Sequence, residues 1–143
     1  MNLEALHRAS GRGVLSITGG GTGALGRLLA VPGASGTVLD AQIPYSLGAL
    51  SEMLGRAPDR ATSAATARAL AMVAFQRARS LDIEATFGLG ATAALATNRE
   101  KAGDHRLHVA LQTSGTSYLW SLTFDKDRRS REEEEALCEH LIL

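Results

Sequence analysis

One cysteine, Cys138, stands in 143 residues, so no disulfide can form within the chain. A reducing, cytoplasmic compartment is the expectation. Aromatic residues make up only 4%, which excludes the stacked-base platforms that proteins use to hold single strands. Charge of one sign is missing as well. Fifteen basic and fifteen acidic residues give a formal net charge of zero, and a nucleic-acid binder needs a net basic face. No apolar run approaches the roughly 20 residues of a membrane span, and the opening MNLEALHRASGRG lacks the apolar core of a signal peptide. What remains is a chain sized for one domain, 45% apolar, able to bury a core. The expected partners are therefore small molecules, with no nucleic acid and no membrane, and a homo-oligomer is left open.

The order of elements follows from apolar spacing and breakers. Residues 2–9 suit a short helix, broken at Gly11 and Gly13, and Val14 to Thr18 reads as a buried strand. Ala24 to Val31 has helical spacing and stops at Pro32-Gly33. A second strand, TVLDAQI, ends at Pro44; Leu47 to Leu54 is a short helix closed by Gly55. Thr62 or Ser63 caps the longest helix, which runs to about Arg79 and is rich in alanine. A strand is expected over Ala85 to Gly90, followed by the polar loop TNREKAGDHR. Leu107–Thr113 and Ser117–Phe124 then form an antiparallel hairpin about the turn SGT. After a charged loop over residues 125–129, Ser130 and Glu133 have capping-box spacing for a last helix. That helix ends on Leu141-Ile142-Leu143, which suggests either a chain cut from a longer one or a tightly packed end. The run Glu132 to Glu135 reads as a solvated helix start. The order α-β-α-β-α-α-β-β-β-α implies one α/β domain over residues 1–143, a three-layer α/β/α arrangement with a mixed sheet.

The stretch LSITGGGTGALG, residues 15–26, places five glycines within eight positions at a strand-to-helix junction. Three readings compete. Gly21-Thr22-Gly23-Ala24-Leu25-Gly26 matches G-x-G-x-x-G, with Asp40 about 20 residues on, where an acid meets a ribose hydroxyl in dinucleotide sites. Against an NAD-type module stand the short chain, the Pro-Tyr turn after Asp40, and Ala49 where a Tyr-x-x-x-Lys pair would need its lysine. The plain alternative is a tight turn in which glycine allows close packing.

The third reading is a resemblance. Ser16-Ile17-Thr18-Gly19-Gly20 looks like the S-C-T-G-G segment of the CinA C-terminal domain family. Val31-Pro32-Gly33-Ala34-Ser35 resembles its V-P-G-A-S, and Pro44-Tyr45-Ser46 sits where it has V-x-Y-S-N-E-x-K. Thr62-Ser63 opens the long helix as V-S-E does there. Phe87-Gly88-Leu89-Gly90 matches the strand into T-G-I-A-G-P, and Leu107–Leu111 resembles V-Y-I-A-L. These similarities keep order from about residue 14 to residue 124. The family includes nicotinamide mononucleotide amidohydrolases, so the resemblance implies an α/β/α fold and hydrolysis of that nucleotide's carboxamide to the acid and ammonia, without a cofactor. It implies Ser16 as nucleophile, Tyr45 as a substrate-orienting or proton-relaying group, and a pocket of Thr18, Gly19, Gly20, Gly21, Thr22, Ser46 and the turn at Gly90.

The departures bear on the chemistry. The family's lysine falls on Leu50, its Asn and Glu on Leu47 and Gly48, and the acid before its serine on Leu15. A serine hydroxyl without a neighbouring base is a poor nucleophile. Asp104-His105-Arg106 offers a replacement base in His105 and a phosphate-binding cation in Arg106. The alternative is a catalytically degenerate nucleotide-binding or regulatory domain. Arg56 and Arg60 are further candidates for a phosphate. His105 and His108, three apart on a strand, point to opposite faces, and no metal is expected. His7 and His140 read as surface residues.

Overall fold

The computed structural model describes residues 2–9, 11–95, 105–124 and 130–143. Most of the expected loop TNREKAGDHR, with Asp104, and the charged loop over 125–129 lie outside the described residues. The elements are α1 (Leu3–Arg8), β1 (Gly13–Thr18), α2 (Gly23–Ala30), a single 3-10 turn (Ala34–Gly36), β2 (Val38–Gln42), α3 (Leu47–Leu54), α4 (Ala64–Leu81), β3 (Phe87–Ala94), β4 (His105–Gln112), β5 (Ser117–Phe124) and α5 (Arg131–Ile142).

They form one mixed sheet in the order β2-β1-β3-β4-β5. β1 pairs in parallel with β2 and β3, whereas β3, β4 and β5 run antiparallel. Alternation along the strands sorts the two faces. Leu15 and Ile17 join Leu89, Ala91, Leu107 and Val109 in a core closed by α2 and α5. On the other face Val14 meets Ala74 and Ala78 of α4, and Ala110 meets Ala67 and Ala71. These four alanines make a smooth stripe along α4. Opposite them β3 carries Gly88 and Gly90, where an added Cβ would lie 2.1 Å from the Phe75 amide nitrogen and 2.4 Å from that of Ala71. Helix and sheet therefore meet backbone to backbone.

Two expectations change here. β3 does not end at Gly90: the ladder with β1 runs on to Thr18↔Thr92 and carries the strand to Ala94. The turn expected at Gly90 is mid-strand, and Gly90 serves the approach of α4. His7 is buried, not surface. Its ring bridges Thr37 Oγ1 at 2.7 Å and the Leu28 carbonyl at 2.9 Å, which pins α1 to α2.

Candidate functional site

Ser16 and Thr18 share a face with Val14, toward α3 and α4, because side chains two apart lie on the same side of a strand. Ser16 is buried, and its hydroxyl donates to Sδ of Met53 on α3 at 3.1 Å. Thr18 donates to the Pro44 carbonyl at 2.8 Å. Its ladder neighbour Thr92 donates to the Ala61 carbonyl at 2.6 Å. The two threonines thus tie the entries of α3 and α4 over the ends of β1 and β3. Between these segments lies a cavity of about 310 Å³ whose lining includes Thr18, Gly19, Tyr45, Leu50, Thr92 and Arg131. Tyr45 stands 70% exposed at its rim. Ser46 caps α3, its hydroxyl oxygen accepting from the Ala49 amide at 3.0 Å. Leu50, at the position the resemblance gives to a lysine, is buried.

Arg131 escaped the sequence reading. It stands first in α5, and its guanidinium donates to the Gly19 carbonyl at 2.6 Å while lining the cavity. The only signal was its place beside the capping box, one cation among many charges.

His105 does not face Ser16. Ser16 pairs across the sheet with Gly90, which pairs with Ala110, and that row faces α4. His105 lies five residues before Ala110, hence on the opposite face. There its Nδ1 donates to Oε2 of Glu134 on α5 at 3.0 Å. The sheet separates imidazole from hydroxyl, so His105 cannot act as the base for Ser16. Arg106 lies beside Ala94 in the ladder, on the α4 side. His108 bonds Ser121 at 2.6 Å; burial and the charge of Arg106 push its pKa down.

The glycine turn is occupied from within. The amide of Gly21 donates to Oε2 of Glu135 at 2.6 Å, and that of Gly23 to Oε1 at 3.2 Å. Free N–H groups at the start of a helix attract anions; here a carboxylate of α5 meets that demand. Gly19 and Gly21 have φ of +82° and +90°, a region side chains rarely enter, and a Cβ on Gly21 would run into Ile142 at 2.3 Å. The G-x-G-x-x-G spacing thus builds a seat for the last helix, and the pyrophosphate cradle of the dinucleotide reading is filled. Thr22 makes no side-chain cap to α2. Asp40, the proposed ribose ligand, bonds the Ala41 amide at 2.9 Å and pairs with Arg77 at 3.4 Å.

The acidic run is also not uniformly solvated. Glu132 and Glu133 are exposed, but Glu134 is fully buried and Glu135 half-buried. Their charges and the packing of α5 act on Cys138: burial first, then Glu135 and Glu134, push its thiol up to about 12. A thiol so protonated is a poor nucleophile. Iodoacetamide at pH 8 is expected to leave the native protein unmodified and to alkylate Cys138 completely in urea, as read by intact mass.

Among the described residues no cluster of histidine, cysteine or carboxylate side chains is arranged for a metal, and no described helix is long and apolar enough to cross a membrane.

No family model matches the sequence, and neither does a curated protein. Solved structures do match. The competence/damage-inducible protein CihA of Agrobacterium tumefaciens superposes with a TM-score of 0.73 at 19% identity, over 99% of this chain and 92% of that one. A CinA superfamily protein of Escherichia coli gives 0.76 at 16% identity, over 97% and 80%. One from Klebsiella pneumoniae gives 0.76 at 15%, over 97% and 86%. At these identities the likeness is one of fold, and the fold of this chain is that of the CinA superfamily of competence/damage-inducible proteins.

Proposed function

We propose that this chain is a small-molecule-binding domain on the CinA fold, which holds a mononucleotide in the cleft at the C-terminal end of β1 and does not hydrolyse it. One observation carries the reading: the hydroxyl of Ser16 is buried against Met53 Sδ, with His105 across the sheet, His108 on the same face but two strands away and bonded to Ser121, and Leu50 in place of a lysine. Nucleophilic attack on an amide needs an accessible hydroxyl, a base beside it and donors for the oxyanion. At Ser16 the first two are lacking among the described residues. Binding needs less. Arg131 brings a cation to the cavity wall, and Tyr45 offers an aromatic face at its mouth. Such a domain serves as a sensor or regulatory module.

The test is ammonia release from nicotinamide mononucleotide beside a thermal-shift series with the same nucleotide. The expected result is no turnover, with stabilisation of about 2.7 kcal/mol at a hundredfold excess over Kd. Stabilisation by the mononucleotide should exceed that by NAD, whose pyrophosphate would have to displace Glu135. Turnover in the wild type that disappears in Ser16→Ala would overturn the proposal in favour of an amidohydrolase.

A further inference from the structure

Ser16 has neither an accessible hydroxyl nor a base beside it. Another serine has both. The row that faces α4 contains Ala110 and its ladder partner Leu119. His108 lies two residues before Ala110 and Ser121 two after Leu119, so both share that face. They are ladder partners in turn, and their side chains stand side by side. The next pair along the same face is Arg106 with Thr123. Ser121 and Thr123 are exposed, and His108 and Arg106 are half-buried.

His108 Nδ1 and Ser121 Oγ are 2.6 Å apart. Nε2 of the same ring is buried and has no partner among the described residues. An imidazolium needs an acceptor for each of its two N–H groups, and at Nε2 there is none. Burial, and after it the charge of Arg106, push the pKa of His108 down, so the ring is neutral at pH 7. A neutral imidazole with Nδ1 turned to a hydroxyl is placed to take that hydroxyl's proton. Arg106 stands diagonal to Ser121 across the ladder, a spacing of about 7–8 Å that a long side chain bridges. An accessible hydroxyl, a base in contact with it and a cation for the developing negative charge are the parts that nucleophilic acyl transfer needs.

We propose that Ser121 is an activated nucleophile, with His108 as its base and Arg106 as the cation that stabilises the oxyanion, and that this face of the β4–β5 hairpin hydrolyses small carboxylic esters. Ser121 Oγ adds to the ester carbonyl carbon while its proton passes to Nδ1 of His108. The carbonyl oxygen takes the negative charge, within reach of Arg106. As the carbonyl re-forms, the bond from carbon to the alcohol oxygen breaks. The alcohol leaves with the proton from His108, and the acyl group stays on Ser121. Water then adds to the acyl carbon and gives a proton to His108. That proton returns to Ser121 Oγ as the carboxylic acid departs. Ester and water become acid and alcohol, and both side chains are restored. Ser121 is exposed, which suits short, unhindered acyl groups. The site is three strands away from β1 and the nucleotide cleft, and it does not depend on Ser16.

The test is p-nitrophenyl acetate with the full chain at neutral pH. Catalytic release of p-nitrophenolate is expected, and a quenched sample should carry an acetyl group that peptide fragmentation places on Ser121. Ser121→Ala and His108→Gln are each expected to slow release about a hundredfold, the low end for a general base. Glutamine keeps a hydrogen-bond partner for Ser121 and removes the base, so a bond that is only structural would leave the rate unchanged. Ser121 is exposed, so alanine there keeps the fold and carries the test should His108→Gln lose its cooperative melt. A wild type no faster than Ser121→Ala, an acetyl group found only on other residues, or a rate that Ser16→Ala abolishes overturns the proposal.

Discussion

Replacing Glu134 by alanine is expected to cost about 3–5 kcal/mol, the range for breaking a buried pair from one side. The side chain of Glu134 has no exposed surface, and His105, its partner, keeps only 9%. Truncation removes the acceptor of a buried N–H and leaves the imidazole inside the α2–α5 core, where an unsatisfied polar group is expensive. The loss also reaches outward, because the pair fastens β4 to α5, and α5 supplies Cys138 and Ile142 to the same core. A fall in Tm on the order of ten degrees follows. The partner variant, His105→Phe with Glu134→Leu, removes both polar groups at once and should recover most of the loss. Urea unfolding of the single and double variants checks this. A double variant no better than Glu134→Ala would mean that the bond is not what holds the helix.

Gly90→Val is the second large effect. Its Cβ would lie 2.4 Å from the Ala71 nitrogen, 2.5 Å from the Ala67 carbonyl oxygen and 2.7 Å from Leu70 Cβ. Two of these atoms are backbone and cannot turn aside, so α4 has to lift from the sheet. Overpacking of this kind costs about 1–3 kcal/mol for a methylene and more for a branched side chain. About 3 kcal/mol or outright insolubility is expected. Gly26→Ala is the control. An added Cβ there meets nothing within 4 Å, and alanine inside a helix gains roughly 0.5–1 kcal/mol over glycine. Thermal melts should therefore move in opposite directions for two glycines that look alike in sequence.

That contrast shows which parts of the structure the chain wears openly. Local rules placed the helices well. Ser63, one of the two expected caps, opens α4, and Ser130 with Glu133 forms the capping box of α5, each read from a few neighbouring residues; the cap of α3 is Ser46, expected only as a pocket residue. The hairpin of β4 and β5 and the mixed sheet followed from short apolar runs and turn residues in the same way. The misreadings all concern partners far along the chain. His7 meets Thr37 thirty residues away. Glu135 meets Gly23 across 112 residues, and its helix looks merely acidic until the turn it fills is beside it. His105 was offered as a replacement base for Ser16 by its chemistry alone, and only pairing and parity show the two on opposite faces. Periodicity describes an element's own faces and is silent on which neighbour covers them. The cleft was legible as a place, at the end of β1, but its cation, Arg131, belongs to an element whose docking no local rule predicts.

The seat of Glu135 on the glycine turn also sets an order in time. During synthesis the amides of Gly21 and Gly23 leave the ribosome more than a hundred residues ahead of the carboxylate that satisfies them. Until α5 emerges, α2 begins with uncapped donors and the sheet lacks the cover of Cys138 and Ile142. Contacts of such long sequence separation form late, since the loop they close must be ordered first. The nascent chain is thus held open at its first crossover until its final helix arrives, and that interval is when a chaperone would find it.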